Sequence, residues 1–141
     1  MKFLGFVVAM AALMFVAVPA DAATVEARVS LSSQRMYVSV NGVRQYTWKV
    51  STGRSGYGTP TGSYRPQRLE RSWYSRKYDN APMPHSVFFR GGYAIHGTSA
   101  VSRLGSRASH GCVRLAPSNA ATLYSLVSKY GMGNTRVVIA P

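Results

Sequence analysis

The chemistry of this 141-residue chain gathers in one short stretch. Cys112, the single cysteine, stands in Ser109-His110-Gly111-Cys112-Val113-Arg114-Leu115, with His96 upstream and Arg103 and Arg107 close by. A thiol with the ordinary pKa near 8.5 is only about 3% ionised at pH 7. Lowering that value by about two units would make it roughly three-quarters thiolate, which takes about 2.7 kcal/mol of differential stabilisation. Cationic neighbours could supply it. Such a set suits a sulfur nucleophile served by an imidazole, that is, acyl transfer through a thioester. Gly111 allows close backbone approach, and the amides around it could face a developing oxyanion. Two other readings stay open at this point. The cysteine could be buried and inert, or His96, His110 and Cys112 could form a three-ligand zinc site, against the repulsion of nearby cations.

Carboxylate chemistry fits poorly. Asp21, Glu26, Glu70 and Asp79 are the only acidic residues, and all precede residue 80. That disfavours a glycosidase's carboxylate pair and an oxygen-rich Mg or Ca site beside the thiol. The 17 basic residues, 13 of them arginine, set a net charge of +13. A field of this sign draws polyanions, with nucleic acid, anionic lipid and acidic wall polymers as candidates.

Lys2, an uncharged run over residues 3–20 and the small-x-small tripeptide Ala20-Asp21-Ala22 have the pattern of a secretory leader. We expect a signal peptide over residues 1–22 and one domain over 23–141, the alternative being an uncleaved anchor. Export would place the domain in the periplasm or cell envelope, with no nucleic-acid partner and no membrane contact after cleavage. A lone thiol there forms no internal disulfide and is intermolecular, inert or reactive. The length suits one self-sufficient core, and a monomer is expected.

The elements that must position the thiol are mostly strands. Val25, Ala27, Val29 and Leu31 alternate with polar residues. Residues 36–40 and 43–50 flank Asn41-Gly42, a strong hairpin signal because both turn positions need positive φ. Residues 51–66 are rich in Gly, Thr and Ser and predict turns closing into a short strand near Gly62 and Tyr64. Residues 67–84 mix Arg68, Arg71, Arg76 and Lys77 with Trp73, Tyr74 and Tyr78, which predicts a long surface loop shaping a site. Strands are expected at 86–89, 93–96 and 135–139. Pro117, the spacing of Ala120, Leu123, Leu126, Val127 and Tyr130, and Gly131 predict one helix. About six strands and one helix make a mainly β, mostly antiparallel protein with a helix packed on it.

The motifs resemble those of the bacterial L,D-transpeptidase catalytic domain (YkuD-type). Ile95-His96-Gly97-Thr98 followed by Ser109-His110-Gly111-Cys112-Val113-Arg114-Leu115 is similar to that family's active-site signature. Val50-Ser51-Thr52-Gly53, Thr59-Pro60-Thr61-Gly62-Ser63-Tyr64, Met83-Pro84 and Tyr93-Ala94 extend the likeness across nearly all of residues 23–141. The resemblance implies a β-sandwich with one principal helix, no cofactor and no metal. It implies Cys112 as nucleophile and His96 as proton donor and acceptor, oriented by a backbone carbonyl. Gly97, Ser109, His110 and Gly111 would shape the site and its oxyanion hole, and Arg114 would support the thiolate or a substrate carboxylate. The implied partner is a peptidoglycan stem peptide, with release of a terminal D-alanine and cross-linking to an amine. Arg71, Arg76 and Tyr93 are expected to help bind that anionic donor. Hydrolysis, or lipoprotein attachment or release, through the same acyl-enzyme is the in-family alternative, and a non-catalytic basic wall-binding module the alternative outside it.

Overall fold

Strict alternation of apolar and polar side chains builds one half of the molecule. In β1 (Val25–Ser30) Val25, Ala27 and Val29 are fully buried, while Arg28 is exposed. The same period-two pattern runs through β2 (Arg35–Val40), with Met36 and Val38 inside, and β11 (Thr135–Ala140), with Val137 and Ile139 inside. With β3 (Val43–Lys49) and β4 (Gly62–Tyr64) they form a five-stranded sheet in the order β3-β2-β1-β11-β4. Asn41 and Gly42 make the hairpin turn, with φ of 51° and 77°.

These observations concern the computed structural model, which describes residues 23–141 together with Gly5 and Ala12. The expected leader over 1–22 thus lies almost wholly outside the described residues.

The second sheet has the order β10-β9-β8-β5, from β5 (Arg68–Glu70), β8 (Ser86–Arg90), β9 (Tyr93–Gly97) and β10 (Val113–Leu115). Its central strands are apolar on both faces because both are covered. Val87, Phe89, Ile95, Val113 and Leu115 point into the main core, where they meet Ala27, Val29, Met36 and Val38 of the first sheet. Phe88 and Ala94 point the other way, into a small cluster with Met83 against which Cys112 packs. The side chain of Phe89, 1% exposed, contributes about 1.5–3 kcal/mol by burial alone.

Helix α1 (Pro117–Tyr130) starts with Pro117 in its first turn, where a missing N–H costs nothing. Ala120, Leu123 and Val127 are its buried stripe, and Gly131 N–H closes it on the Val127 carbonyl at 2.8 Å. Among the described residues no helix is long and apolar enough to cross a membrane.

The fold is the mainly β sandwich with one helix that the sequence predicts, with three differences. Among the described residues the strands number eleven rather than about six. Two ladders, β1 with β11 and β9 with β10, are parallel. Residues 67–84 are not a featureless loop. They contain β5 and a hairpin of β6 (Tyr74–Ser75) and β7 (Ala81–Pro82), extended by Met83 N–H to the Trp73 carbonyl and His85 N–H to the Arg71 carbonyl. Strands of two or three residues carry too little alternation to be seen in sequence, and pairing with neighbours rather than propensity makes them strands.

Candidate active site

Parallel pairing of β9 with β10 decides what meets the sulfur. Val113 is opposite Ile95 and Arg114 opposite His96. In-register side chains of adjacent strands share a face. His96 and Arg114 therefore face away from the main core, and Cys112, one residue before β10, lies on that side beside Ala94. All three side chains line one cavity of about 630 Å³.

The turn that delivers Cys112 is held by its own side chains and by residues 51–59. Ser109, fully buried, donates from Oγ to the Cys112 carbonyl at 2.6 Å and accepts the Gly111 N–H at 3.1 Å. Thr59 Oγ1 donates to the Gly111 carbonyl at 2.8 Å and accepts the Gly53 N–H at 3.0 Å. The Ala108 and Ser109 amides both donate to the Thr52 carbonyl, and Ser51 and Arg114 exchange a backbone pair. Thr52 is in turn fixed by buried Gln34, whose Nε2 donates to Thr52 Oγ1 at 2.7 Å and whose Oε1 accepts the Thr52 N–H. Gly111 has φ of +120°, and a Cβ there would stand 2.6 Å from Tyr93 Cε1. Both the angle and the space demand glycine.

Histidine 96 is 6% exposed and donates from Nδ1 to the Gly97 carbonyl at 2.7 Å. A carbonyl accepts only, so the proton is on Nδ1 and Nε2 keeps the free lone pair. Burial lowers its pKa from 6.5 to about 4, outweighing the raising effect of the Gly97 carbonyl, and Arg114 lowers it further. About one ring in a thousand is then protonated at pH 7. Burial likewise pushes the Cys112 thiol up, partly offset by the Ala94 N–H aimed at the sulfur and by Arg114. The resting pair is a neutral thiol and a neutral imidazole. This corrects the expectation of a thiolate formed by cationic neighbours: taking the sulfur out of water outweighs the guanidinium beside it.

Of the other residues singled out in sequence, Ser109, His110, Arg76 and Tyr93 also line the cavity. Gly97 acts through its carbonyl on His96. Arg71 does not line it; its side chain is exposed on the outer part of the hairpin, where its carbonyl accepts the His85 N–H. The Gly111 N–H is spent on Ser109 Oγ and does not face an oxyanion. His110 stacks on Tyr78, centroids 4.0 Å apart and planes 9° from parallel, with Tyr57 at its edge. Burial, Arg54 and Arg114 hold that ring below the ordinary imidazole value. Among the described residues no three His, Cys, Asp or Glu side chains converge as a metal site, so His96, His110 and Cys112 do not form the three-ligand set weighed above.

Residues 71–85 roof the cavity. Trp73 packs edge-on against Phe88, and the Arg68 guanidinium lies over both rings, at 4.6 and 4.1 Å from their centroids. Arg76, Lys77 and Arg114 reach the same space. The ion pairs among the described residues are Arg28 with Glu26 and Arg68 with Glu70, so these three cations have no carboxylate partner there. Sequence reasoning passed over Gln34, Thr59 and Arg54, and placed Tyr78 in a site-shaping loop without foreseeing its stack on His110. Nothing around Gln34 signals its role, whereas Thr59 lies in the Thr59-Pro60-Thr61-Gly62 pattern and was not given one.

A β-sandwich carrying a thiol and an Nδ1-protonated imidazole in one cationic, carboxylate-free cavity is an arrangement suited to acyl transfer. The family model for the L,D-transpeptidase catalytic domain (YkuD) matches residues 24–139, and the chain belongs to that family. Solved structures agree. An L,D-transpeptidase from Stackebrandtia nassauensis superposes with a TM-score of 0.73 at 28% identity over 84% of this chain and 56% of its own. One from Mycobacterium tuberculosis H37Rv gives 0.74 at 25% over 84% and 58%. L,D-transpeptidase 3 from Mycobacterium tuberculosis, solved with a faropenem-derived adduct, gives 0.73 at 24% over 84% and 61% and shows the fold alone. The chain spans less than two thirds of the length of these structures. No curated relative matches it.

Proposed function

We propose that the chain is an exported peptidoglycan L,D-transpeptidase, with residues 1–22 a signal peptide and 23–141 the catalytic domain. Cys112 is the nucleophile and His96 Nε2 the base. The observation that carries this reading is the His96 Nδ1 bond to the Gly97 carbonyl, which leaves the free lone pair on the ring nitrogen that can take a thiol proton.

Because both groups rest neutral, the thiol proton passes to Nε2 as sulfur attacks the carbonyl of the third residue of a tetrapeptide stem. Negative charge then develops on the carbonyl oxygen while the imidazolium forms beside it. The Gly111 N–H is occupied by Ser109 Oγ, so that oxygen takes its donors from elsewhere in the turn, and the Arg114 charge favours it. The imidazolium returns its proton to the leaving amine, and D-alanine departs. A side-chain amine of a second stem attacks the thioester and gives its proton to His96; the C–S bond breaks, His96 returns the proton to the Cys112 sulfur, and the new amide is the cross-link. Arg76 and Lys77 on the roof bind the carboxylates of the donor.

The test is incubation of tetrapeptide muropeptides with the protein, followed by mass spectrometry. Cross-linked dimers lighter by the released D-alanine are expected, and Cys112→Ser should make none. Tripeptide without dimer identifies a carboxypeptidase; unchanged muropeptide sinks the enzymatic reading.

A further inference from the structure

The two outer faces of the sandwich point in opposite directions, and only one holds the cavity. The other, the solvent face of the five-stranded sheet, is cationic. Register places Arg28, Arg35, Arg44, Lys49 and Arg136 on it, with Glu26 the single carboxylate. Arg28, Tyr37 and Thr47 form one row across the strands, Ser30, Arg35 and Lys49 the next. Glu26 pairs with Arg28 at 3.4 Å in an exposed ion pair that neutralises one charge and no more. Tyr37 is covered by Arg44, whose guanidinium carbon stands 4.4 Å above the ring, so the face offers no free aromatic ring for stacking.

We infer that this sheet face docks on the surface of an anionic lipid bilayer and holds the cavity mouth away from it. The face is a broad platform, roughly 20 Å on a side from strand spacing and rise, with its charges spread in two dimensions. A planar array of phosphates matches that layout; a single linear polyanion would engage one row of it. At the edge stands the Asn41-Gly42 turn; Val43 beside it pairs with Val40 and so faces the other side of the sheet, which leaves attraction to this face to its charges. The same turn lies where the chain enters the domain, Asn41 N–H donating to the Thr24 carbonyl at 2.8 Å. Each cation near an anionic surface adds a comparable increment to binding, screened beyond about 8 Å at physiological salt. It differs from the expectation of no membrane contact after cleavage, and it stands apart from the thiol chemistry.

The test is co-sedimentation of the full chain with vesicles of phosphatidylcholine alone or mixed with phosphatidylglycerol. The readout is the ratio of the two affinities, because an uncharged apolar run partitions into both alike. The triple variant Arg28→Gln, Arg44→Gln, Lys49→Gln should lower that ratio by roughly 100-fold. A second triple, Arg65→Gln, Arg90→Gln, Lys129→Gln, removes the same charge from exposed sites elsewhere and should leave most of it. Equal losses in the two triples would mean net charge alone and overturn the proposal. So would a wild-type ratio near one, or soluble polyphosphate binding through the same three residues while vesicles are ignored. Cooperative thermal unfolding followed by circular dichroism serves as the folding control for both triples.

Discussion

The turn that carries Cys112 and the hairpin that roofs it face each other across the same cavity and are built in opposite ways. Residues 109–112 make nearly all their polar contacts inward: Ser109 Oγ and Thr59 Oγ1 each join two backbone groups, both side chains buried. Residues 71–85 are mostly exposed, with Met83 and Ser86 at their base as the anchors and Trp73 and Tyr78 resting on rings below. A reacting atom has to be held to within a fraction of an ångström, which a network of buried hydrogen bonds does. A surface that accepts a flexible, charged peptide needs less fixing, and its cations act at longer range.

If that contrast is right, substitutions in the turn should cost stability and those in the roof should cost substrate affinity. Ser109→Ala leaves the Gly111 N–H and one bond to the Cys112 carbonyl unmade, and should lower the unfolding free energy by about 2–4 kcal/mol in urea titration. A loss below about 0.5 kcal/mol would mean the turn is not held in this way. His96 gives a pH signature of similar size. Its ring titrates near 6.5 unfolded and about 4 folded. Between those values the unfolded chain binds more protons, so its contribution is complete above pH 6.5 and is lost as pH falls toward 4, by about 3 kcal/mol. His96→Gln should flatten that part of the stability profile; an unchanged slope would place its origin elsewhere.

Thr59→Val should cost about 1–2 kcal/mol, since it strands a buried Gly53 N–H. In the roof, Arg76→Gln should raise donor KM about three- to tenfold at low salt with unfolding unchanged, while Arg71→Gln, off the cavity, should move neither. Equal effects from the two arginines would show that overall charge, rather than the cavity, binds the donor.

The turn was legible in sequence and the roof was not, for a physical reason. Ser109, His110, Gly111 and Cys112 are neighbours in sequence, so their order already resembles the family signature, as does the Ile95-His96-Gly97 stretch that holds His96; the roles follow from that resemblance and not from residue types alone. Long alternating strands such as β1 and β11, and the helix with its Pro117 and Gly131 ends, are likewise written in local periodicity. The roof is short strands among arginines and aromatics, whose pairing comes from contacts made only in the folded chain. Charge state was misjudged for the same reason. A count of arginines near Cys112 in sequence says nothing of how much water the sulfur loses when Met83, Phe88 and Ala94 close around it.

The central claim is that a neutral, partly buried Cys112 thiol becomes an acyl acceptor only as His96 removes its proton. Intact mass spectrometry after exposure to a penem, across a pH series, tests it most directly. One adduct per chain should form, absent in Cys112→Ser, and His96→Gln should slow its formation by at least about a hundredfold at pH 7. Iodoacetamide, which needs no catalytic base, should label the free thiol faster with each pH unit through pH 9, with no plateau near neutrality. No adduct on folded protein, an adduct that survives Cys112→Ser, or full-speed acylation without His96 would contradict the account.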